Sequence, residues 1–216
     1  MRTQAWQYET VVKPERDPDT LAMALSFLRG GHVIAVPTDT VYGVAADGLN
    51  PDAVERLFAV KERPPERAIP LLLAEIEDVW HVIRSFPPGA HRLAQALWPG
   101  PLTLVLPARE GLPKVLLGGK DTVGVRIPDH AWLRALIRQL SRPLAATSAN
   151  ISGRPPARTP EEVVTQLAGR IPLVVDGGPA PEGVPSTVVD CTGPEPVILR
   201  PGPLSEEKIR ALWEGT

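Results

Sequence analysis

Helix-like and strand-like patterns alternate along most of this chain, which predicts an α/β domain built on one sheet covered by helices. Two further observations refine the class. Three late apolar runs, LVVDGG, STVVDCT and PVILRPG, follow one another without helices between them, so some strands must pair antiparallel and the sheet is mixed. The length of 216 residues, with 43% hydrophobic and 22% charged residues, suits one large domain with a real core rather than a disordered chain. The expected class is α/β of the mixed α+β kind, a twisted and partly antiparallel sheet with flanking helices, in a single domain over residues 1–216.

The elements follow in order. Asp19 to Leu28 carries Leu21, Leu25 and Leu28 at helical spacing and stops at Gly30 and Gly31. HVIAVPT is a short strand. Asn50 then caps the helix PDAVERLFAVK, with Pro51 at its first position and Val54, Leu57 and Phe58 on one face, so Lys61 falls near a helix C-terminus. A strand at IPLLLA precedes helices near Glu77 to Arg84 and Gly89 to Trp98. Strands LTLVLPA and TVGVRIP lead to a helix from Trp132 to Leu140, and LAATSAN reads as a buried strand running into a loop. EEVVTQLAG is helical, and after the three late strands a last helix runs from Ser205 to Trp213. Nothing repeats at a fixed period, and nothing marks a second domain.

Composition narrows the function. A formal net charge of -2 lacks the long-range footprint of a free-standing nucleic-acid binder, so any RNA contact must be local or shared. Cys191 is the only cysteine, which excludes a disulfide framework or a cysteine zinc cluster within one chain and favours a reducing, cytoplasmic home. MRTQAWQYETVV has no apolar core of signal length, and no run approaches the ~20 apolar residues that span a bilayer, so no membrane association is expected. The 26 prolines suggest rigid loops and a heat-adapted host, although a GC-rich genome gives the same bias. His32, His81, His91 and His130 fall in different elements without ligand spacing, which points to surface or packing roles and to no protein-held metal.

The motifs that could carry chemistry lie at strand and helix ends. No P-loop, G-x-G-x-x-G, H-E-x-x-H or G-x-S-x-G occurs, so any nucleotide site is unconventional. VKERPPERAIPLLL places Lys61, Arg63 and Arg67 on chain stiffened by prolines, and preorganised cations of this kind suit a polyanion; a lysine on a helix dipole beside solvated arginines is the alternative. PTDTVYGVAADG leaves a strand with Asp39, Thr40 and Tyr42, either as site groups or as turn caps. ATSANISG repeats that design with Ser148 and Asn150. Ser186 in STVVD and Arg200 in ILRPG are polar groups at the ends of apolar strands, and for Arg200 a plain surface charge is the alternative. Thr122 and Arg126 share one face of TVGVRIP by period two, although alternation does not say whether that face is wet.

The segments GHVIAVPTDTVYGVAADGLN, KERPPER, WPGPLTLVLP, DTVGVRIP, ATSANISGRP, GVPSTVVD and ILRPGP, in that order from about Leu21 to Leu204, resemble the YrdC-like family of L-threonylcarbamoyladenylate synthases. The resemblance implies a sheet enclosing a deep, positively lined concave cavity. Lys61 and Arg63 match the catalytic K-x-R pair at the phosphates, with Arg67, Thr122, Ser148, Asn150 and Arg200 also on the ATP side. Thr40, Arg126 and Ser186 match the threonine side, with Asp39 and Tyr42 shaping the wall. The implied reaction joins L-threonine, bicarbonate and ATP, with Mg2+ carried by the nucleotide, and feeds a tRNA threonylcarbamoyl transferase complex.

The chain also departs from the family pattern. Asp39 stands where members often carry Glu, and Thr147 where Pro often precedes S-x-N. A chain ending at Thr216 is expected to lack the extra C-terminal domain of longer members, which leaves open how its cavity closes. Two other functions stay in view: an RNA-binding or ribosome-associated module using the same basic concave surface, with weak tRNA or RNA contact, and a nucleotide-binding paralogue with another product.

Overall fold

The computed structural model describes residues 8–215. The reading of MRTQAWQ as free of a signal core therefore lies outside the described residues. Seven α-helices are described: α1 (Pro18–Arg29), α2 (Pro51–Lys61), α3 (Pro88–Leu97), α4 (Lys114–Leu117), α5 (Ala131–Leu140), α6 (Pro160–Leu167) and α7 (Glu206–Glu214). The strands are β1 (Val11–Pro14), β2 (Ile34–Val36), β3 (Gly43–Asp47), β4 (Leu71–Leu72), β5 (Leu102–Pro107), β6 (Thr122–Arg126), β7 (Leu144–Ser148), β8 (Leu173–Asp176), β9 (Thr187–Asp190) and β10 (Val197–Arg200). Among the described residues they form one mixed sheet in the order β1-β8-β2-β3-β7-β4-β6-β5-β9-β10. The mixed α+β class is the observed one.

Several elements differ from the sequence reading. The run Gly43–Asp47, read as loop, is the antiparallel partner of β2 and β7, because Gly, Val and two Ala are small enough to be buried on both faces of a crowded central strand. IPLLLA shortens to Leu71–Leu72, and the helix placed near Glu77 to Arg84 is a 3-10 turn, Ile76–His81, held by a capping box between Glu75 and Asp78. The three late strands do not lie side by side: β9 and β10 pair antiparallel, whereas β8 runs parallel to β1 and β2 at the other end of the sheet. The antiparallel pairing was expected, but much of it comes from β2-β3-β7-β4 and β5-β6.

Period-two alternation divides the core into two layers. On one face Ala35, Val44, Ala46, Leu71, Val123, Val125, Leu104 and Val189 join the larger core with α2, α3 and the buried sides of α6 and α7. On the other, Ile34, Val36, Ala45, Leu72, Leu144, Leu173 and Val175 pack against Leu25 and Leu28 of α1 and Leu133, Leu136 and Leu140 of α5. These two helices cover that face only as far as β7 and Leu72 of β4. Beyond them, over β4-β6-β5-β9, the residues alternating with the core valines are Thr122, Gly124, Arg126, Thr103, Val105 and Val188, and they line a cavity. The candidate site is the part of the sheet that the second helical layer leaves bare.

Candidate active site

The cavity has a volume of about 430 Å³. Its floor is β6 and β5, and its walls are the β2–β3 loop, the segment after α2, the end of β7 and the Ser186–Arg200 pair. Of the residues expected from sequence, Thr40, Arg63, Arg67, Thr122, Arg126, Ser148, Ser186 and Arg200 line it, as does Tyr42. Lys61 and Asn150 do not line it, and Asp39 sits behind the wall.

Arg126 ends β6 on the cavity face, and its side chain is buried, with the residue 6% exposed. It donates from Nε to Gly100 O (3.0 Å), from Nη1 to Thr40 Oγ1 (2.9 Å) and from Nη2 to Asp39 Oδ1 (2.5 Å). A guanidinium has five N–H donors, so two remain for a ligand. Thr38 Oγ1 donates to Val41 O at 2.7 Å and lies 3.0 Å from Thr40 Oγ1, so the Thr40 hydroxyl proton points to Thr38 and the chain of donors runs one way from Arg126 into the loop. Burial pulls Arg126 below its usual value, and the Asp39 carboxylate opposes that fall. Asp39 Oδ2, by contrast, is buried with no hydrogen-bond partner among the described residues.

Ser186 connects this end to the next. Its Oγ lies 2.8 Å from Thr103 Oγ1 and accepts from Arg200 Nη2 (3.0 Å), while its carbonyl accepts from Arg200 Nε (3.1 Å) and Nη2 (2.8 Å). Gly202 makes this approach feasible, because a Cβ there would stand 2.4 Å from Thr187 N and 2.7 Å from Ser186 C, both backbone atoms. Arg63 donates to Arg67 O (3.1 Å) and Ala68 O (3.0 Å), so the proline-stiffened turn folds back on its own guanidinium. Burial, then the charges of Arg67 and Arg200, lower Arg63 from its usual value; burial and Arg126 do the same for Arg200. Crowded cations that repel one another without ion-paired carboxylates attract an anion.

Lys61 departs from the expected direct phosphate contact. Glu62 caps α2 with φ 52° and turns the chain, and Lys61 is 1% exposed. Its Nζ donates to Ser148 O, to Asn150 O (2.9 Å) and to Asn150 Oδ1 (3.3 Å), while Ser152 N donates to Lys61 O (2.8 Å). Asn150 Nδ2 in turn donates to Ile151 O (2.9 Å) and Arg154 O (2.7 Å). Burial, followed by the Arg63 charge, lowers Lys61 to about 7. Lysine and asparagine thus knit α2 to the S-x-N loop from behind and leave Ser148 at the cavity.

Sequence reasoning missed Thr38, Thr103, Lys120 and Gly124, all of which line the cavity. Thr103 was findable, since within LTLVLP it alternates with Leu102 and Leu104 of the core. Among the lining residues Glu66 is the lone carboxylate, and among the described residues no group of three His, Cys, Asp or Glu is placed to hold a metal ion. Nor, among the described residues, is any helix long and apolar enough to cross a membrane.

The chain is similar to proteins named threonylcarbamoyl-AMP synthase: one from Pyrococcus abyssi is 44% identical over 89% of this chain and 56% of its own length. Another, from Vibrio parahaemolyticus, is 36% identical over 85% of this chain and 100% of its own. The crystal structure of P. abyssi Sua5 complexed with L-threonine superposes with a TM-score of 0.90 at 42% identity, covering 94% of this chain and 60% of that one. This chain thus spans little more than half the length of the archaeal relative and the full length of the bacterial one. The Sua5/YciO/YrdC family, described as "Telomere recombination", matches residues 26–202, and the chain belongs to that family.

Proposed function

We propose that this chain is an L-threonylcarbamoyladenylate synthase. The observation that carries the reading is the polarity of one cavity, with a buried arginine among hydroxyls at one end and Arg63, Arg67 and Arg200 at the other, none of these three ion-paired among the described residues. The names of its relatives support the same assignment. Arg126, Thr40 and Ser186 hold the threonine carboxylate and hydroxyl. Arg63, Arg67, Arg200, Thr122 and Ser148 hold ATP, and Lys61 and Asn150 keep the Ser148 loop in shape. Mg2+ enters with the nucleotide as part of the substrate.

The chemistry is a condensation followed by a displacement. The threonine amine adds to the carbon of bicarbonate, losing water and a proton, and forms a carbamate. A carbamate oxygen then attacks the α-phosphorus in line, and pyrophosphate leaves. No side-chain nucleophile is needed, because holding three reactants in line and offsetting the charge on the phosphate oxygens supplies the rate. The product is an acyl adenylate for a tRNA threonylcarbamoyl transferase complex in the cytoplasm. Pyrophosphate release tests this: it should require ATP, threonine and bicarbonate together, and release independent of threonine would contradict the assignment.

A further inference from the structure

One cation of the cavity has no part in the chemistry assigned so far. Lys120 lies two residues before β6 and lines the cavity with Thr122, Gly124 and Arg126, so the period-two face of that strand continues one step past its start. The four positions form a single file. Thr122 and Arg126 stand about 13 Å apart along the strand, and Lys120 lies beyond Thr122, on the side away from Arg126.

The fold holds the backbone here and leaves the side chain free. Helix α4 ends at Gly118 in the left-handed conformation (φ 58°), where a Cβ would stand 2.6 Å from Glu66 O and 2.8 Å from Ala68 N. Glycine thus lets this turn approach the stiffened segment that carries Arg67. Ile69 N donates to Leu116 O (3.0 Å), Lys120 N to Leu117 O (3.1 Å) and Ala108 N to Asp121 O (2.8 Å), so the turn is tied on both sides. The Lys120 side chain, by contrast, is exposed and has no hydrogen-bond or ion-pair partner among the described residues. Even Glu66, the lone carboxylate of the lining, does not pair with it.

In-line displacement decides what a cation at this end of the file meets. The attacking carbamate oxygen, the α-phosphorus and the leaving oxygen stand in one line, so pyrophosphate departs on the side of phosphorus opposite to threonine. Threonine is held at the Arg126 end, and the leaving group is therefore driven toward Thr122 and Lys120. We propose that Lys120 is a further catalytic residue, which contacts the β and γ phosphates of ATP and offsets the charge that pyrophosphate gains as it leaves. The proposal rests on the reading of this cavity as the synthase site. As the carbamate O–P bond forms, the bond from the α-phosphorus to the bridging oxygen breaks, and that oxygen keeps the electron pair. Lys120 neither gains nor loses a proton in this step. Its ammonium donates hydrogen bonds to phosphate oxygens as a compact charge on a flexible stem, free to follow the departing group.

The test is calorimetric titration of the full chain with ATP, AMP and inorganic pyrophosphate, alongside steady-state kinetics. Lys120→Met keeps the apolar stem and removes the charge. It should weaken pyrophosphate and ATP binding by about threefold to tenfold and lower kcat/KM for ATP by a similar factor, while AMP binding and the melting temperature stay unchanged. Lys120→Arg should recover most of the loss, since it restores a cation that binds phosphate. Lys114→Met removes an exposed cation of α4 that is outside the lining, and it should leave all three affinities as they are. Unchanged pyrophosphate affinity in Lys120→Met, a loss of AMP affinity equal to that of ATP, or an equal effect of Lys114→Met would overturn the role of Lys120. A wild-type protein that binds neither ATP nor pyrophosphate would instead overturn the reading of the cavity, and this proposal with it.

Discussion

At the scale of the residue, Lys61 and Arg63 stand one residue apart in sequence yet do different work. Arg63 faces the cavity, and Arg63→Ala should lower kcat/KM at least about tenfold, the effect of losing ~1.4 kcal/mol of charge stabilisation in the transition state. Steady-state kinetics with each substrate varied would check it. Lys61→Met should cost activity too, but through the loop: it removes the donor to three oxygens at Ser148 and Asn150, so thermal stability should fall along with turnover. Between its folded value of about 7 and the usual 10.5, Lys61 is deprotonated in the folded chain and protonated in the unfolded one. The unfolded state then binds more protons, so wild-type stability should rise with pH across that window, and Lys61→Met should lose that rise. Melting temperatures of both proteins at pH 7 and 9.5 decide it. In the sequence both residues read as cations on a stiffened turn, because K-x-R shows spacing but not the left-handed Glu62 that aims one inward.

Whether an element was legible depended on how strongly its own residues spoke. Asn50 with Pro51 announced α2, and the structure starts it at Pro51 with the Asn50 side chain accepting from Asp52 N and Ala53 N. β3 stayed hidden because GVAAD owes its strand to neighbours on both sides rather than to β-branched residues. Alternation in TVGVRIP correctly put Thr122 and Arg126 on one face, but only the extent of α1 and α5 determines that this face is open. On β5 the same logic yields a prediction: Thr103→Val keeps the shape and removes the hydroxyl beside Ser186 Oγ. It should raise the KM for threonine by about fivefold to tenfold, near the ~1 kcal/mol of one hydrogen bond, with kcat less affected. Helix α7 packs on α3 through Trp213, whose ring would lie 2.4 Å from a Cβ on Gly89. Gly89→Ala should therefore destabilise the chain by about 1–3 kcal/mol, readable by denaturant unfolding, while leaving the distant cavity residues in place.

For the molecule as a whole, the class of the fold was legible and the order of its strands was not. Interleaved patterns give a mixed sheet, whereas the separation of β8 from β9 depends on crossovers that no local pattern records. The net charge of -2 likewise conceals a cavity whose lining carries Arg63, Arg67, Lys120, Arg126 and Arg200 against the single acid Glu66. This local excess, rather than the overall charge, should govern nucleotide binding. The central claim is that one cavity joins three small reactants, and isotopic tracing of the product tests it most directly. Purified protein incubated with ATP, magnesium, L-threonine and 13C-bicarbonate should yield a labelled threonylcarbamoyl-AMP, detected by mass spectrometry, that disappears when threonine is omitted. Absence of that adenylate from folded, nucleotide-binding protein would contradict the account, and RNA binding with a steep salt dependence in the same preparation would turn the basic cavity toward nucleic acid instead.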